Sequence, residues 1–481
     1  MRFNSLRVVC RNSILQQIRH GLSILCLTTL WSTILISQQM VLIDDLHRYL
    51  YKNTEFPSFL YRSGSYSVIL GIHAVCRTAL KVFNNTEVYG GERFLELLRS
   101  RTDYKTRKRG LITVSNHISV LDDPAIWGAL PLSFAAFYGY MNHRWSFASH
   151  DLCFNNVPLS HFFTLGQCFP THRIKHSKHG GLFQPTFTEA VRILSRIDDQ
   201  NYSWNPHCAT VPGYSDSTTS SSSSGLTWPN NAIDPLSPVT PRPAFPSQPN
   251  DVRVYNAPSR YAANSYSWVH IFPEGFVHQT DPDKRYMRYF KWGVSRLILE
   301  PPECPDVVPV FIEGTDQIMH ESRTFPRFLP RIGKKVVVTF GNELDVEARF
   351  GDLRKRWRQI CDRENEQLLK SINNEWLSDA QLGDADSTWG LLEPKPETRK
   401  IDLDTLYEQQ LGYVSEKLKY DPEVVELRKE CTNRVREEVL KLRRGRGYPD
   451  EDPKAGIAET WKLEGPKREG KMEDDSWVKE T

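Results

Sequence analysis

The chain has 481 residues, enough for about two to four domains or one large domain with additions. Apolar residues make up 39% and charged residues 25%, an ordinary globular balance that excludes a polytopic membrane protein but leaves room for one anchor or a membrane-lying surface. With 61 basic and 58 acidic residues the net charge of +3 carries no nucleic-acid signature. The nine cysteines are scattered singly and without a C-x-x-C, which argues against a zinc module and a disulfide-built secreted scaffold, so no metal site is expected.

The first 43 residues carry Arg2, Arg7, Arg11 and Arg19 and no acid before Asp44, the pattern of a mitochondrial targeting segment, with a secretory signal as the competing reading. Gly21 to Ile43 is apolar and long enough to span a bilayer, although Ser37, Gln38 and Gln39 make it a poor span; Tyr66 to Cys76 is too short to span alone. From about Thr86 strand and helix signals alternate. Leu111–Ser115 reads as a buried strand, and a helix is expected over Pro124–Leu130 with Asp123 as its cap. Ser133–Tyr138 reads as another short strand. Leu152 to His172 carries no formal charge apart from its histidines but is broken by Asn155, Asn156 and Pro158; it fits either an interfacial segment or a core strand and loop. Phe187–Ile197 has helical periodicity. Residues 201–264 hold the serine run Ser220–Ser224 and closely spaced prolines, which predicts a disordered insertion within a folded domain.

Beyond it, Trp268–Phe272 reads as a strand and Tyr286–Leu299 as an amphipathic helix. The β-branched runs Val307–Ile312 and Lys335–Phe340 read as further strands. Asp379–Lys400 reads as a linker to a charged tail. That tail is helical over Glu408–Arg443, restarting at Pro422 with Asp421 as cap, and without structure from Gly445 onward. The fold class predicted is α/β, a central mixed sheet flanked by helices, with membrane-associating N-terminal segments and a charged helical C-terminal tail.

Chemistry concentrates where two strands end. Ser115-Asn116-His117-Ile118-Ser119-Val120-Leu121-Asp122-Asp123-Pro124 joins a strand to a helix, the place where α/β folds put ligands. A tight loop brings His117 and Asp122 into hydrogen-bond reach, so that Asp122 orients the imidazole and its other nitrogen takes a proton from a hydroxyl. The second stretch, Phe272-Pro273-Glu274-Gly275, ends a strand in a turn in which Gly275 permits close approach of a ligand. Alone, each stretch has a bland reading, a satisfied loop histidine and a common turn. No G-x-S-x-G is present, which argues against a serine hydrolase, and Ser119 has only proximity to recommend it.

Together the stretches resemble the glycerolipid acyltransferase family, whose first motif is H-x-x-x-x-D and whose third is F-P-E-G. Gly166-Gln167-Cys168-Phe169 with Arg173 is similar to that family's second block, and Val308-Pro309-Val310 to its fourth. The lysophosphatidate members continue E-G-T-R, with the arginine held to bind phosphate; here the sequence is Glu274-Gly275-Phe276-Val277, which puts acylation of a small phosphate monoester from acyl-CoA in doubt. Asn116-His117 with the double aspartate, Phe162-Phe163-Thr164-Leu165-Gly166-Gln167 and Met287-Arg288-Tyr289-Phe290-Lys291-Trp292-Gly293 resemble the tafazzin branch, its fungal members most, over about residues 63–365.

The resemblance implies a CoA-independent transacylase that moves an acyl chain from phosphatidylcholine to monolysocardiolipin and needs no cofactor. It implies His117 and Asp122 as catalytic residues, and Asn116, Arg173, Phe272, Pro273, Glu274 and Gly275 as substrate-binding ones. Arg144, Arg288 and Lys291 are secondary candidates for phosphate, and backbone N–H groups near Gly275 for the oxyanion. Residues 1–62 are then a targeting or membrane segment, 63–375 the acyltransferase domain, and 376–481 a linker, charged helix and tail. The expected location is a mitochondrial membrane facing the intermembrane space, with lipids as partners and the oligomeric state open. An acyl-CoA-dependent acyltransferase and a non-catalytic lipid-binding scaffold are the alternatives.

Overall fold

The computed structural model describes residues 59–137, 142–173, 180–196, 265–279, 285–320, 329–382 and 414–462, with two short strands at 470–471 and 477–478. The basic N-terminal stretch, the apolar run 21–43 and the Ser/Pro-rich insertion lie outside the described residues, as does the expected linker beyond Leu382.

Seven strands form one mixed sheet: β1 (Asn85–Tyr89), β2 (Leu111–Ser115), β3 (Arg144–Ser149), β4 (Cys168–Thr171), β5 (Trp268–Ile271), β6 (Asp306–Glu313) and β7 (Lys335–Phe340). Their order is β1-β7-β6-β2-β5-β3-β4, and only the β6–β7 pairing is antiparallel. The C-terminal ends of β2, β3, β4, β5 and β6 therefore share one edge of the sheet.

The central strands are apolar on both faces because both are covered. In β6 the period-2 alternation is plain: Val307 and Phe311 pack into one core, Val308, Val310 and Ile312 into the other. The second core is closed by α1 (Phe59–Val82), α2 (Gly91–Ser100) and α3 (Asp122–Gly128), the first by α7 (Pro185–Ile193), α8 (Gly293–Leu299) and α10 (Val346–Leu382). Three short helices, α4 (Leu132–Phe137), α5 (His150–Cys153) and α6 (Val157–Leu165), lie between α3 and β4, and a fourth, α9 (Thr315–Ile318), follows β6. No helix among the described residues is long and apolar enough to cross a membrane.

The α/β fold with a mixed sheet is the one expected, but several elements differ. Ser133–Phe137 is helical rather than extended; Phe134 and Ala135 turn inward while Leu132 and Ser133 stay exposed, and so short an apolar run does not separate the two periods. Asp123 does not cap α3. It lies within the first turn, its carboxylate taken by Trp127 Nε1 (3.0 Å) and by the Arg144 guanidinium. The helix expected from Tyr286 begins only at Gly293 and is buried all round rather than amphipathic. Leu152–His172 resolves into the end of α5, then α6 and β4, with Phe154, Leu165 and Phe169 buried.

The charged tail departs most from expectation. After α11 (Glu416–Tyr420), Asp421 caps α12 (Pro422–Gly445) through the Glu423 and Val424 N–H groups, as its sequence predicts. Yet Val424, Leu427, Cys431, Val435 and Val439 of α12 belong to the main core. Beyond Gly445, where no structure was expected, a 3-10 turn at Pro453–Gly456 and α13 (Ala458–Lys462) follow, with Tyr448 and Arg446 both bound to Glu313. Leu427→Ala removes a side chain with no exposed surface, so it should destabilise the protein by about 2–5 kcal/mol in denaturant unfolding. A tail that merely decorated the domain would tolerate the change with no shift in midpoint.

Candidate active site

The loop after β2 is wound around one carboxylate. Asp122, fully buried in the first turn of α3, accepts from His117 Nδ1 (2.9 Å), Ile118 N–H (2.6 Å) and Ser119 N–H (2.8 Å) on Oδ2, and from Thr315 Oγ1 (2.5 Å) on Oδ1. These four donors stabilise a charge that burial alone would not tolerate. Because an ionised carboxylate only accepts, Nδ1 carries the hydrogen and Nε2 is left as the basic nitrogen. The His117 side chain keeps 20% of its surface exposed, so the ring is reachable from outside while its partner is not.

Three neighbours fix the histidine. Asn116 is buried and clamps the loop to β6, donating to the Ile312 carbonyl and accepting from the Ile312 N–H, both at 2.9 Å. Phe272 stacks on the imidazole with centroids 4.3 Å apart. Glu274 Oε1 accepts from the His117 N–H (2.8 Å) and Oε2 from the Arg288 N–H (3.1 Å). Burial pushes the Glu274 carboxyl up to about 8, against the pull of those two N–H groups and of Arg436. Asn116 and Glu274, expected to bind substrate, thus have their polar atoms committed to backbone. The Pro273 carbonyl takes the Lys291 N–H (2.7 Å), and the Gly275 N–H is used by the Phe272 carbonyl (3.0 Å), so it is not a donor for an oxyanion. Ser119 is fully buried and its hydroxyl accepts from the Leu121 N–H (3.3 Å), which removes it as a nucleophile.

Beneath Phe272 lies a second histidine. His270 Nδ1 meets Thr113 Oγ1 at 2.8 Å, and that hydroxyl also accepts from Trp268 Nε1 (2.9 Å). Burial pushes His270 down to about 3, which keeps it neutral under the site.

The cations separate into near and far. Arg173 is bound to the Asp151 carboxylate and stands just past the end of β4, on the same edge as His117 but three strands away, roughly 14 Å. Arg144 is committed to Asp123. Closer in, the Arg288 guanidinium lies 4.1 Å from the centroid of Phe276, and the aliphatic chain of Lys291 crosses Gly275. Gly275 has φ +75°, and a Cβ there would come within 2.7 Å of the Lys291 side chain, so glycine is required by both backbone and neighbour. Thr315 was not found from sequence: it follows Gly314 at the end of β6, and only the shared sheet edge relates it to Asp122. Among the described residues no group of three or more His, Cys, Asp or Glu is placed to hold a metal ion.

No family model matches the chain. It is 32% identical over 408 residues to tafazzin of Saccharomyces cerevisiae, covering 84% of both chains. It is 27% identical over 300 residues to tafazzin of Drosophila melanogaster, covering 62% of this chain and 56% of that one. Among solved structures, the 1-acyl-sn-glycerophosphate acyltransferase of Thermotoga maritima matches with a TM-score of 0.29 and 14% identity, over 70% of this chain and 95% of that one. Given the extent of the yeast match, the chain belongs to the tafazzin family of acyltransferases.

Proposed function

We propose that the chain is a CoA-independent transacylase that remodels cardiolipin, taking an acyl chain from phosphatidylcholine and placing it on monolysocardiolipin. The observation that carries this reading is the His117–Asp122 pair, a basic nitrogen held open at the sheet edge by a buried anion.

His117 Nε2 takes the proton from the free glycerol hydroxyl of the lysolipid as that oxygen attacks the ester carbonyl of the donor lipid. Asp122 stabilises the imidazolium so formed. The tetrahedral adduct collapses as His117 returns the proton to the departing glycerol oxygen, leaving one new ester, one lysolipid and no covalent enzyme intermediate. Phe272 holds the ring by stacking, and Lys291, exposed beside Gly275, is the cation best placed for a lipid phosphate, ahead of Arg173. The valine at 277, where the lysophosphatidate members carry arginine, argues against a small phosphate monoester as the acyl acceptor.

Bilayer substrates place the site at a membrane surface. The acid-free, Arg-bearing start favours mitochondria, and the family favours the side facing the intermembrane space. Leu165, a natural choice for a lipid-facing residue by sequence, is buried against Tyr61 and Val68; Leu152, 59% exposed in α5 just beyond β3, is the better one. Leu152→Glu should weaken retention of the protein on carbonate-washed mitochondrial membranes, and equal retention would move the contact elsewhere.

The decisive assay offers labelled phosphatidylcholine and monolysocardiolipin to the purified protein with and without CoA. Transfer should need no CoA, and His117→Ala and Asp122→Asn should each lose about 10²–10⁴-fold in rate with the fold intact. Strict dependence on acyl-CoA, or near wild-type turnover by folded His117→Ala, defeats the reading.

Glu274 gives a test by pH. Its native carboxyl keeps a proton up to about 8, while in the unfolded chain it ionises in the ordinary range. Between those values the native state binds more protons, so stability falls as pH rises. Glu274→Gln cannot titrate, and its melting temperature should decline less from pH 5 to 8 than that of the wild type; equal slopes would contradict the assignment.

A further inference from the structure

Residues 285–291 have no regular structure, yet Arg285, Met287, Arg288 and Phe290 are buried. What fixes them comes from the far end of the chain. Arg436 of α12 donates from Nε to the Arg288 carbonyl (2.9 Å) and from Nη2 to the Met287 carbonyl (2.7 Å). Glu451 accepts the Met287 N–H on Oε1 and Arg436 Nη2 on Oε2, each at 2.5 Å. Arg443 Nε donates to the Arg285 carbonyl (2.8 Å), at a residue held in the left-handed region with φ +49°. A non-glycine residue persists there only when its surroundings impose it.

The other side of the same segment faces the site. The Arg288 N–H holds Glu274 Oε2, whose Oε1 holds the His117 N–H. Arg285 Nη1 binds Asp316 Oδ2 (2.6 Å), next to the Thr315 whose hydroxyl reaches Asp122. The supports of both members of the pair therefore lead through 285–288 to the tail.

We propose that Glu451 and Arg436 are positioning residues for acyl transfer: by fixing the 285–288 backbone they seat Glu274 beneath His117. The proposal rests on His117 being the reacting base. A merely structural tail would lower stability and leave kcat of the folded fraction unchanged. A positioning role appears in kcat, because a small misplacement remote from the chemistry still disturbs attack geometry.

The test uses the full-length protein with vesicles of phosphatidylcholine and monolysocardiolipin. Glu451→Ala should lower kcat about ten-fold or more, with KM for the lysolipid within about two-fold. Glu451→Gln, which keeps an acceptor for the Met287 N–H, should restore most of the loss. In a Glu274→Gln background, where the link is already cut, Glu451→Ala should lower kcat by no more than about two-fold further. Wild-type kcat in folded Glu451→Ala, or losses that multiply in the double variant, overturn the proposal. Should Glu451→Ala not fold, Arg436→Lys decides by the same readings, because lysine keeps the charge but cannot span both carbonyls; full kcat there overturns it equally. His117→Ala run alongside separates the two conclusions: inactivity there with unchanged kcat in Glu451→Ala removes only the role of the tail, whereas activity in His117→Ala removes the proposed function itself.

Discussion

A carboxylate taken wholly out of water must be met by donors or give up its charge, and Asp122 is met by four. That requirement shapes everything near it. Two of the donors are backbone N–H groups of its own turn, so the loop from His117 to Asp122 can close in only one way. A third is the imidazole, whose orientation and tautomer follow. The fourth, Thr315, ties the turn to the end of β6, and Asn116 ties it there a second time through the Ile312 backbone. The pair is thus an outcome of satisfying one buried anion across a sheet edge.

Much of this could be read from residue patterns. β2, β5, β6 and β7 announce themselves as β-branched or aromatic runs because each is buried on both faces. His117 and Asp122 declare themselves because their bonding is local, within one turn. What could not be read depends on distant partners or on ambiguous short runs. β3 and β4 mix polar and aromatic residues near the sheet edge, β4 with Pro170 inside it, so neither shows a clean period. The segment 286–292 has helical spacing, but its backbone groups are claimed by Arg436 and Glu451, and that contest is invisible in a local window. Residue type also does not reveal commitment: Asn116 and Arg144 look like ligand-binding side chains until their partners, the Ile312 backbone and Asp123, are seen.

The layers beneath the site separate two duties. On one face, neutral His270, Trp127 and Trp268 pack with the aromatic groups that back Phe272, so the ring stacked on His117 rests on a rigid stack rather than on water. On the opposite face of the sheet, α12 brings apolar residues into the core and basic residues over the irregular segment. One helix therefore serves packing with one side and geometry with the other, which is why its sequence reads as charged even though its apolar stripe is fully enclosed.

That enclosure has a consequence for how the molecule comes into being. The main core joins Ile112 and Val114 of β2 to Val435 and Val439 of α12, so contacts essential to it span more than three hundred residues of chain. Closing such contacts requires that the intervening chain be present and that its loop entropy be overcome before any of the burial is gained. A polypeptide delivered from its N-terminus, by a ribosome or through a translocation pore, carries exposed β-branched strands until α12 arrives. Enclosure of its core is then a late event, and the nascent strands need shielding throughout the interval.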